Sequence, residues 1–198
     1  MSVHELDSQQ RIREAVFEEL EEKGVLGLRI ADIASKAEVS VALVYKLFGD
    51  RDELLSKALG ELIKSFYVVD IDQLRRTLDS TTGPVDLELI ASFFALPSQD
   101  ERKSRRWMRV KCLAAAVEIP SLWKTMNEIQ TEYIATIEAL ALEVRARNGA
   151  KGPFASKPFA HSVTSSLLGL IVNDIVDNKM TDEEYYSFMV EYLRHHLT

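Results

Sequence analysis

Residues 29–51 read RIADIASKAEVSVALVYKLFGDR and predict two short helices joined by a tight turn. The apolar residues of the first helix follow the i, i+3, i+4, i+7 spacing that gives a helix one buried face, at Ile30, Ile33, Ala34 and Ala37. The next residues, Glu38 to Ser40, are too few for anything but a turn. Ser40 can accept a hydrogen bond from the backbone of the following helix as its N-cap.

The second helix is expected from about Val41 to Leu47, with Val44 and Phe48 facing inward. The side chains left outside are Val41, Ala42, Tyr45 and Lys46, with Arg51 just beyond the helix. Two short helices on a tight turn are typical of a helix-turn-helix, which lays its second helix in the major groove of DNA. The pattern therefore indicates a DNA-binding protein. The alternative is that the two helices only pack as core.

The net charge of −7 looks unfavourable for a protein that binds phosphates. Its distribution matters more than its total. From Lys23 to Arg51 the chain has five cations and three anions, a local balance of 5 − 3 = +2. The charge permits DNA binding and predicts weak non-specific affinity with a modest salt dependence.

The composition predicts an all-α protein. Hydrophobic residues make up 46% and charged residues 28% of the 198 residues, and there are only 8 glycines and 5 prolines.

A single cysteine, Cys112, allows no internal disulfide. No apolar run reaches the ~20 residues of a membrane span, and the polar N-terminus lacks the apolar core of a signal peptide. We expect a cytoplasmic protein with no membrane partner.

Helices are predicted on both sides of the helix-turn-helix. Asp7 or Ser8 can cap a first helix that ends near Lys23, and its inward stripe contains one charged residue, Glu19. Asp50 and Glu53 form a variant of the capping box that opens a fourth helix.

These features together resemble the N-terminal domain of the TetR-type transcriptional regulators. The matching elements are Gly24, Ile30-x-x-Ile33-Ala34, Ala37-x-Val39-Ser40, Tyr45-x-x-Phe48 and Asp50-Arg51-x-x-Leu54-Leu55. The chain departs from the family at Glu38, where glycine is common, at Ala42-Leu43, where Gly-Thr is common, and at Arg29, where Ser or Thr often caps the helix.

The resemblance implies a DNA-binding domain at residues 1–49 and a ligand-binding and dimerisation domain at 50–198, with about nine helices in all. It implies that the N-terminal side of the third helix reads bases and that Tyr45, Lys46 and Arg51 hold phosphates. The predicted DNA-binding residues are Arg29, Ser40, Val41, Ala42, Leu43, Tyr45, Lys46 and Arg51. Arg29 is either a phosphate contact or a solvated side chain. The fourth helix is expected to connect the two domains.

The C-terminal part carries no comparable motif. We expect a separate helix at 71–79, one at 86–96, a capping box at Ser98 and Glu101, and a long helix from Pro120 that turns Trp123 inward. A further helix should run from Pro158 to about Asn178, and Thr181 with Glu184 should cap the last one.

Aromatic and sulfur-containing residues are concentrated in the middle helices. They could line an apolar ligand cavity, and the candidates are Phe93, Trp107, Cys112, Trp123, Met126 and Tyr133. Each could equally be ordinary core. Arg105, Arg106 and Arg109 either meet an anionic ligand or form a solvated face.

A stripe of mostly small residues in the penultimate helix, followed by an aromatic last helix, suits a four-helix dimer interface. The candidates are Ser162, Ser165, Ser166, Gly169, Asn173, Tyr185 and Met189. Alternatively, the stripe packs only within the subunit.

The sequence contains no catalytic or metal-binding motif: HExxH, a Cys/His cluster, a P-loop, GxGxxG and GxSxG are all absent. We expect no enzyme activity, no cofactor and no metal. The prediction is a homodimeric regulator that binds a palindromic operator in double-stranded DNA and is released by an unidentified small-molecule effector. The alternative is a helical ligand-binding or scaffold protein whose helix-turn-helix no longer binds DNA.

Overall fold

The computed structural model describes residues 3–94 and 96–198, and within them the chain is helical, with no β-strand. The helices are α1 (Val3–Gly27), α2 (Ile30–Lys36), α3 (Val41–Phe48), α4 (Arg51–Ser80), α5 (Leu87–Ser92), α6 (Asp100–Ala116), α7 (Pro120–Arg147), α8 (Ser156–Gly169), α9 (Ile171–Ile175) and α10 (Asp182–Leu197). Only one residue, Leu170, separates α8 from α9, so these two can be counted as one interrupted helix. The predicted all-α fold of about nine helices is therefore confirmed.

The chain packs as two compact units. The N-terminal unit comprises Met1–Lys64 and Lys111–Ile129, and the C-terminal unit comprises Ser65–Val110 and Gln130–Thr198. Helices α4, α6 and α7 therefore contribute residues to both units.

In the N-terminal unit, α1 buries the predicted stripe, with Ile12, Val16 and Leu20 fully inaccessible. The helix begins at Val3, so the predicted cap at Asp7 or Ser8 is wrong. It also continues past Lys23, because the positive φ of Gly24 (φ 70°, ψ 171°) kinks the helix without ending it.

Helices α4 and α7 approach closely within this unit. The hydroxyl of Ser56 hydrogen-bonds to that of Thr125 at 2.7 Å and donates to the carbonyl of Ser121 at 3.0 Å. Gly60 lies one turn further along α4, and a Cβ there would lie 2.5 Å from the Thr125 methyl group. The absence of a side chain at Gly60 allows this close approach.

The C-terminal unit has its own apolar core, in which α4, α7, α8 and α10 meet through Leu78, Leu140, Phe159, Met189 and Leu193. Its helices differ from the prediction. The separate helix at 71–79 is part of α4, which has no glycine or proline between Gly60 and Ser80 to end it. The predicted helix at 86–96 ends at Ser92, and residue 95 lies outside the described residues. The helix predicted to reach Asn178 divides at Leu170, whose side chain is buried in the core.

Two of the three predicted capping boxes form. Asp50 and Glu53 exchange backbone and side-chain hydrogen bonds at 2.9 and 3.1 Å, as do Thr181 and Glu184 at 3.2 and 2.7 Å. The box at Ser98 is wrong, because the amide and hydroxyl of Ser98 both donate to the carboxylate of Asp182.

Candidate nucleic-acid interface and ligand cavity

The turn between α2 and α3 has the predicted geometry. The Ser40 hydroxyl accepts a hydrogen bond from the amide of Leu43 at 3.1 Å and caps α3. Val44 and Phe48 are buried, and Leu43 is half-buried. The opposite face of α3 is exposed at Val41, Ala42, Tyr45 and Lys46. This face is apolar at its N-terminal end and polar at its C-terminal end.

Glu38 has a φ of 53°, in the left-handed region that a side chain disfavours. This is the position where the resembled family commonly has glycine. In this chain the left-handed conformation at this position of the turn is adopted by a glutamate, whose side chain is exposed.

Two predicted phosphate contacts have partners within the N-terminal unit. The ammonium of Lys46 lies 2.9 Å from the carboxylate of Glu5. Arg51 donates from Nε to the carbonyl of Leu28 at 2.8 Å and from Nη2 to the carbonyls of Val25 and Leu26 at 3.0 and 3.2 Å. Arg51 therefore satisfies carbonyls at the end of α1, a role for which its sequence neighbours gave no signal.

Other cations near the motif are paired around a buried carboxylate, Glu19. Lys23 contacts Glu19 at 2.7 Å and Asp32 at 2.9 Å, and Lys36 contacts Glu19 at 3.1 Å. The hydrogen bond from Lys23 lowers the pKa of Glu19 despite its burial, so Glu19 stays ionised in the apolar stripe of α1. Arg29 is exposed at the start of α2.

The C-terminal unit contains a cavity lined by residues of α4 to α8 and the turn after α5, with a volume of about 80 Å³. Its aromatic lining residues are Phe66, Tyr67, Phe93, Phe94 and Tyr133. Aliphatic side chains complete the wall at Ile71, Leu74, Ile90, Ile137, Val163 and Leu167. Tyr67 and Tyr133 stack with their ring centroids 4.0 Å apart.

One side of this cavity is formed by four arginines of α6, Arg102, Arg105, Arg106 and Arg109. Arg106 and Arg109 are only 3% and 8% exposed. Arg106 forms a buried ion pair with Asp174 at 2.8 Å, and Arg109 lies over the ring of Tyr67, 4.7 Å from its centroid. Of the two alternatives for these arginines, the solvated face is therefore wrong for Arg106 and Arg109.

The predicted ligand-binding residues are divided between the two units. Phe93 and Tyr133 line the cavity. Cys112, Trp123 and Met126 belong to the N-terminal unit. Cys112 is buried, and burial raises the pKa of its thiol to about 12. Trp123, predicted to face inward, is 60% exposed, whereas Trp107 is half-buried on α6.

The predicted dimer residues differ in exposure. Ser162, Ser165 and Gly169 are exposed, and Ser166 is half-buried. Asn173 holds the loop before α10 by accepting from the amide and donating to the carbonyl of Met180, at 2.6 and 3.2 Å.

Tyr185 and Met189 are 2% and 1% exposed, in the core of their own unit. Near the small residues, exposed apolar side chains include Val172, Val176 and Phe188, none of which was among the predicted dimer residues. Phe188 is 52% exposed, so α10 presents an aromatic side chain directly beside its buried stripe.

Among the described residues, no group of His, Cys, Asp or Glu side chains has the arrangement of a metal site. The helices of the described part include none that is long and apolar enough to cross a membrane.

The sequence model of the family described as bacterial regulatory proteins, tetR family, matches residues 12–58. This segment contains α2, the turn, α3 and the first residues of α4. No curated protein matches the chain.

Many solved structures share the fold. A TetR transcription regulator from Haloarcula marismortui is 19% identical, with a TM-score of 0.73 over 97% of this chain and 99% of that one. GusR of Salmonella enterica is 14% identical, with a TM-score of 0.71 over 96% and 95%. FadR from Bacillus subtilis, solved in complex with stearoyl-CoA, is 16% identical, with a TM-score of 0.64 over 93% and 96%. At such identities the likeness establishes the fold.

Proposed function

We infer that this chain, which carries a TetR-type DNA-binding domain at residues 12–58 on a TetR-type fold, is a homodimeric transcriptional repressor released from a palindromic operator by a small molecule. One observation carries the DNA-binding part. Within the matched segment, α3 is capped by Ser40 and presents Val41, Ala42, Tyr45 and Lys46 on an exposed face.

The chemistry of α3 suggests how DNA would be read. Val41 and Ala42 cannot hydrogen-bond to base edges, but their methyl groups can pack on the methyl group of thymine. Tyr45 and Lys46 follow on the same exposed face and can contact phosphates. We therefore propose apolar readout at the start of α3 and backbone contacts at its end, with residues 1–49 forming the functional DNA-binding domain.

Exposed side chains of the C-terminal unit support a dimer. Ser162, Ser165 and Gly169 give α8 a surface without bulky side chains, which allows a second helix to approach closely. Phe188 and Val172 are large apolar side chains that a partner subunit would remove from water. A dimer of helix-turn-helix domains reads two half-sites about 34–36 Å apart, so a palindromic operator is the site that such a dimer would bind.

The cavity of the C-terminal unit is the proposed effector site. An effector that lowers operator affinity must bind the DNA-free conformation more tightly, and the operator lowers effector affinity by the same factor. Helix α4 contributes residues to both units, and we propose that it carries the conformational change. FadR, with its bound stearoyl-CoA, shows that a protein of this fold can hold an acyl ligand.

The decisive experiment is a selection from random oligonucleotides with the full chain at about 100 mM salt, where phosphate contacts are partly screened. Recovery of an inverted repeat supports the dimeric regulator, and thymines at the positions nearest α3 support readout by Val41 and Ala42. Lys46→Ala should weaken binding to the recovered site. The matched control is Lys124→Ala, which removes an exposed lysine of α7 in the same unit. Failure to enrich any sequence would contradict the proposal.

A second candidate is a helical ligand-binding protein that does not bind DNA. The observation that favours it is that Lys23, Lys36 and Lys46 are all paired with carboxylates of α1, in a chain with a net charge of −7. Heparin chromatography at low salt separates the two candidates. A regulator is retained and then eluted by salt, whereas the ligand-binding protein passes through.

A further inference from the structure

We infer that the cavity of the C-terminal unit binds a monocarboxylate with a flexible apolar body, whose carboxylate is held by Arg109 and Arg106. This inference rests on the proposed function only in treating the cavity as the effector site. It adds the chemical class of the effector.

Arg109 provides the main argument. Its side chain is almost fully buried, and it forms no ion pair within the described residues. Its charge is met by the face of Tyr67, and its Nε atom is buried without a hydrogen-bond partner in the described part of the chain. An ionised group removed from water is costly unless an opposite charge and hydrogen bonds compensate it. An anion in the cavity would supply both.

Arg106 supplies a second set of donors next to the cavity. Its Nη2 atom donates to Asp174 at 2.8 Å and to the carbonyl of Pro97 at 3.0 Å. Its Nε and Nη1 atoms are buried and have no partner among the described residues. The guanidinium is therefore fixed in place by protein contacts while part of its hydrogen-bonding capacity is unused. Each of these unused N–H groups can donate a single charge-assisted hydrogen bond to a carboxylate oxygen.

The local charge favours a ligand with one negative charge. Arg106 is neutralised by Asp174, and Arg105 is paired with Glu101. Arg109, by contrast, has no carboxylate partner among the described residues, and its charge is met only by the face of Tyr67. A carboxylate matches this single charge, whereas a phosphate dianion would exceed it.

The rest of the ligand must be apolar. Away from the arginines, the cavity continues into an apolar space of about 50 Å³ that reaches Phe159 and Leu197. The two spaces share Leu74, Ile90, Phe94, Ile137 and Val163 in their walls, so they adjoin. Each has room for only a few water-sized groups, which suits a medium-length acyl chain rather than a cofactor-sized ligand.

The first test compares headgroups on one apolar chain. Octanoate, octanol and octylamine are titrated into the full chain by calorimetry, and the melting temperature is measured with each. Octanoate is expected to bind and to raise the melting temperature. Octanol and octylamine should bind at least about tenfold more weakly, because only the carboxylate accepts charge-assisted hydrogen bonds from the arginines. Absence of octanoate binding, or equal binding of octanol, would overturn the inference.

The second test removes the uncompensated charge. Arg109→Met keeps the apolar part of the side chain, and the matched control Arg76→Met removes an exposed arginine of the same unit. Arg109→Met should weaken octanoate binding at least about tenfold, leave octanol binding unchanged, and not lower the melting temperature of the ligand-free protein. A merely structural role of Arg109 would instead lower that temperature and affect both ligands alike. Wild-type octanoate affinity in Arg109→Met would also contradict the inference.

The headgroup series uses only the wild-type protein, so it tests the carboxylate site even if Arg109→Met does not fold. Neither test contains DNA. Failure of the proposed regulator would appear as loss of operator selection with octanoate binding intact. Failure of the present inference would appear as operator selection without octanoate binding.

Discussion

The ammonium of Lys46 lies 2.9 Å from the carboxylate of Glu5, which joins the last turn of α3 to the first turns of α1. The Lys46 side chain is still 66% exposed, so DNA can reach it. A phosphate that binds Lys46 must compete with Glu5. The free protein thus holds a carboxylate where the proposed complex would hold a phosphate.

Glu5→Gln should therefore tighten operator binding. An exposed ion pair contributes about 0–1 kcal/mol, so the expected gain in affinity is up to about fivefold, and it should be larger at 50 than at 200 mM salt. Fluorescence anisotropy with the selected operator measures it. The control is Glu21→Gln, which makes the same change of net charge at an exposed site on α1. Equal gains in the two variants would indicate a general charge effect and refute the specific competition.

The left-handed backbone of Glu38 predicts a stabilising substitution. A side chain in this region costs about 1–2 kcal/mol, and glycine avoids that cost while losing about 0.5–1 kcal/mol through its greater freedom in the unfolded chain. Glu38→Gly should raise the free energy of unfolding by about 0.5–1 kcal/mol in urea titrations. Glu38→Ala removes the same charge but keeps the Cβ atom. A similar gain for alanine would show that charge, not backbone strain, is responsible.

The buried carboxylate of Glu19 predicts a pH dependence of stability. The hydrogen bond from Lys23 is the main cause that lowers its pKa in the folded protein. Because the folded pKa is below the unfolded value of about 4.3, the contribution of Glu19 is complete above that pH and is lost as the pH falls through the folded pKa. Glu19→Gln should lower the free energy of unfolding at pH 7 by about 1–3 kcal/mol.

The difference between wild type and Glu19→Gln should shrink in urea titrations below about pH 4. Glu21→Gln, at an exposed position of the same helix, should differ little from wild type at any pH. A difference for Glu19→Gln that is independent of pH would mean that its effect comes from packing, not from ionisation.

Local sequence signals predicted the N-terminal unit well. The caps at Ser40 and Asp50 and the burial of Val44 and Phe48 depend on residues within one or two helical turns of each other. Spacing also singled out Glu19 as a charge in an apolar stripe. Spacing also permits the pair with Lys23, four residues further on the same helix, but it could not show Lys36, which comes from the next helix.

Predictions that depended on distant residues were less successful. The capping box at Ser98 failed because Asp182, from α10, takes both of its donors. The burial of Arg109 could not be predicted for a similar reason. Several arginines on one helix are usually solvated, and Arg109 is buried because other helices pack against α6. Trp123 fitted the apolar period of α7 and still lies outside, because a helix period selects a face but not the width of the surface that neighbours cover.

A double-mutant cycle can test whether the missing side chain of Gly60 sets the separation of α4 and α7 at Thr125. In a helix, alanine is favoured over glycine by about 1 kcal/mol, but at Gly60 the new Cβ would lie 2.5 Å from the methyl group of Thr125. Overpacking of this kind costs about 1–3 kcal/mol, so Gly60→Ala should lower the free energy of unfolding by about 1 kcal/mol. Thr125→Ser removes that methyl group and keeps the hydroxyl that bonds to Ser56. In the Thr125→Ser background, Gly60→Ala should therefore stabilise the protein by about 0.5–1 kcal/mol, a coupling measurable by urea unfolding of the four proteins. Additive effects of the two substitutions would mean that the helices simply move apart, and that the side chain missing at Gly60 does not set their separation.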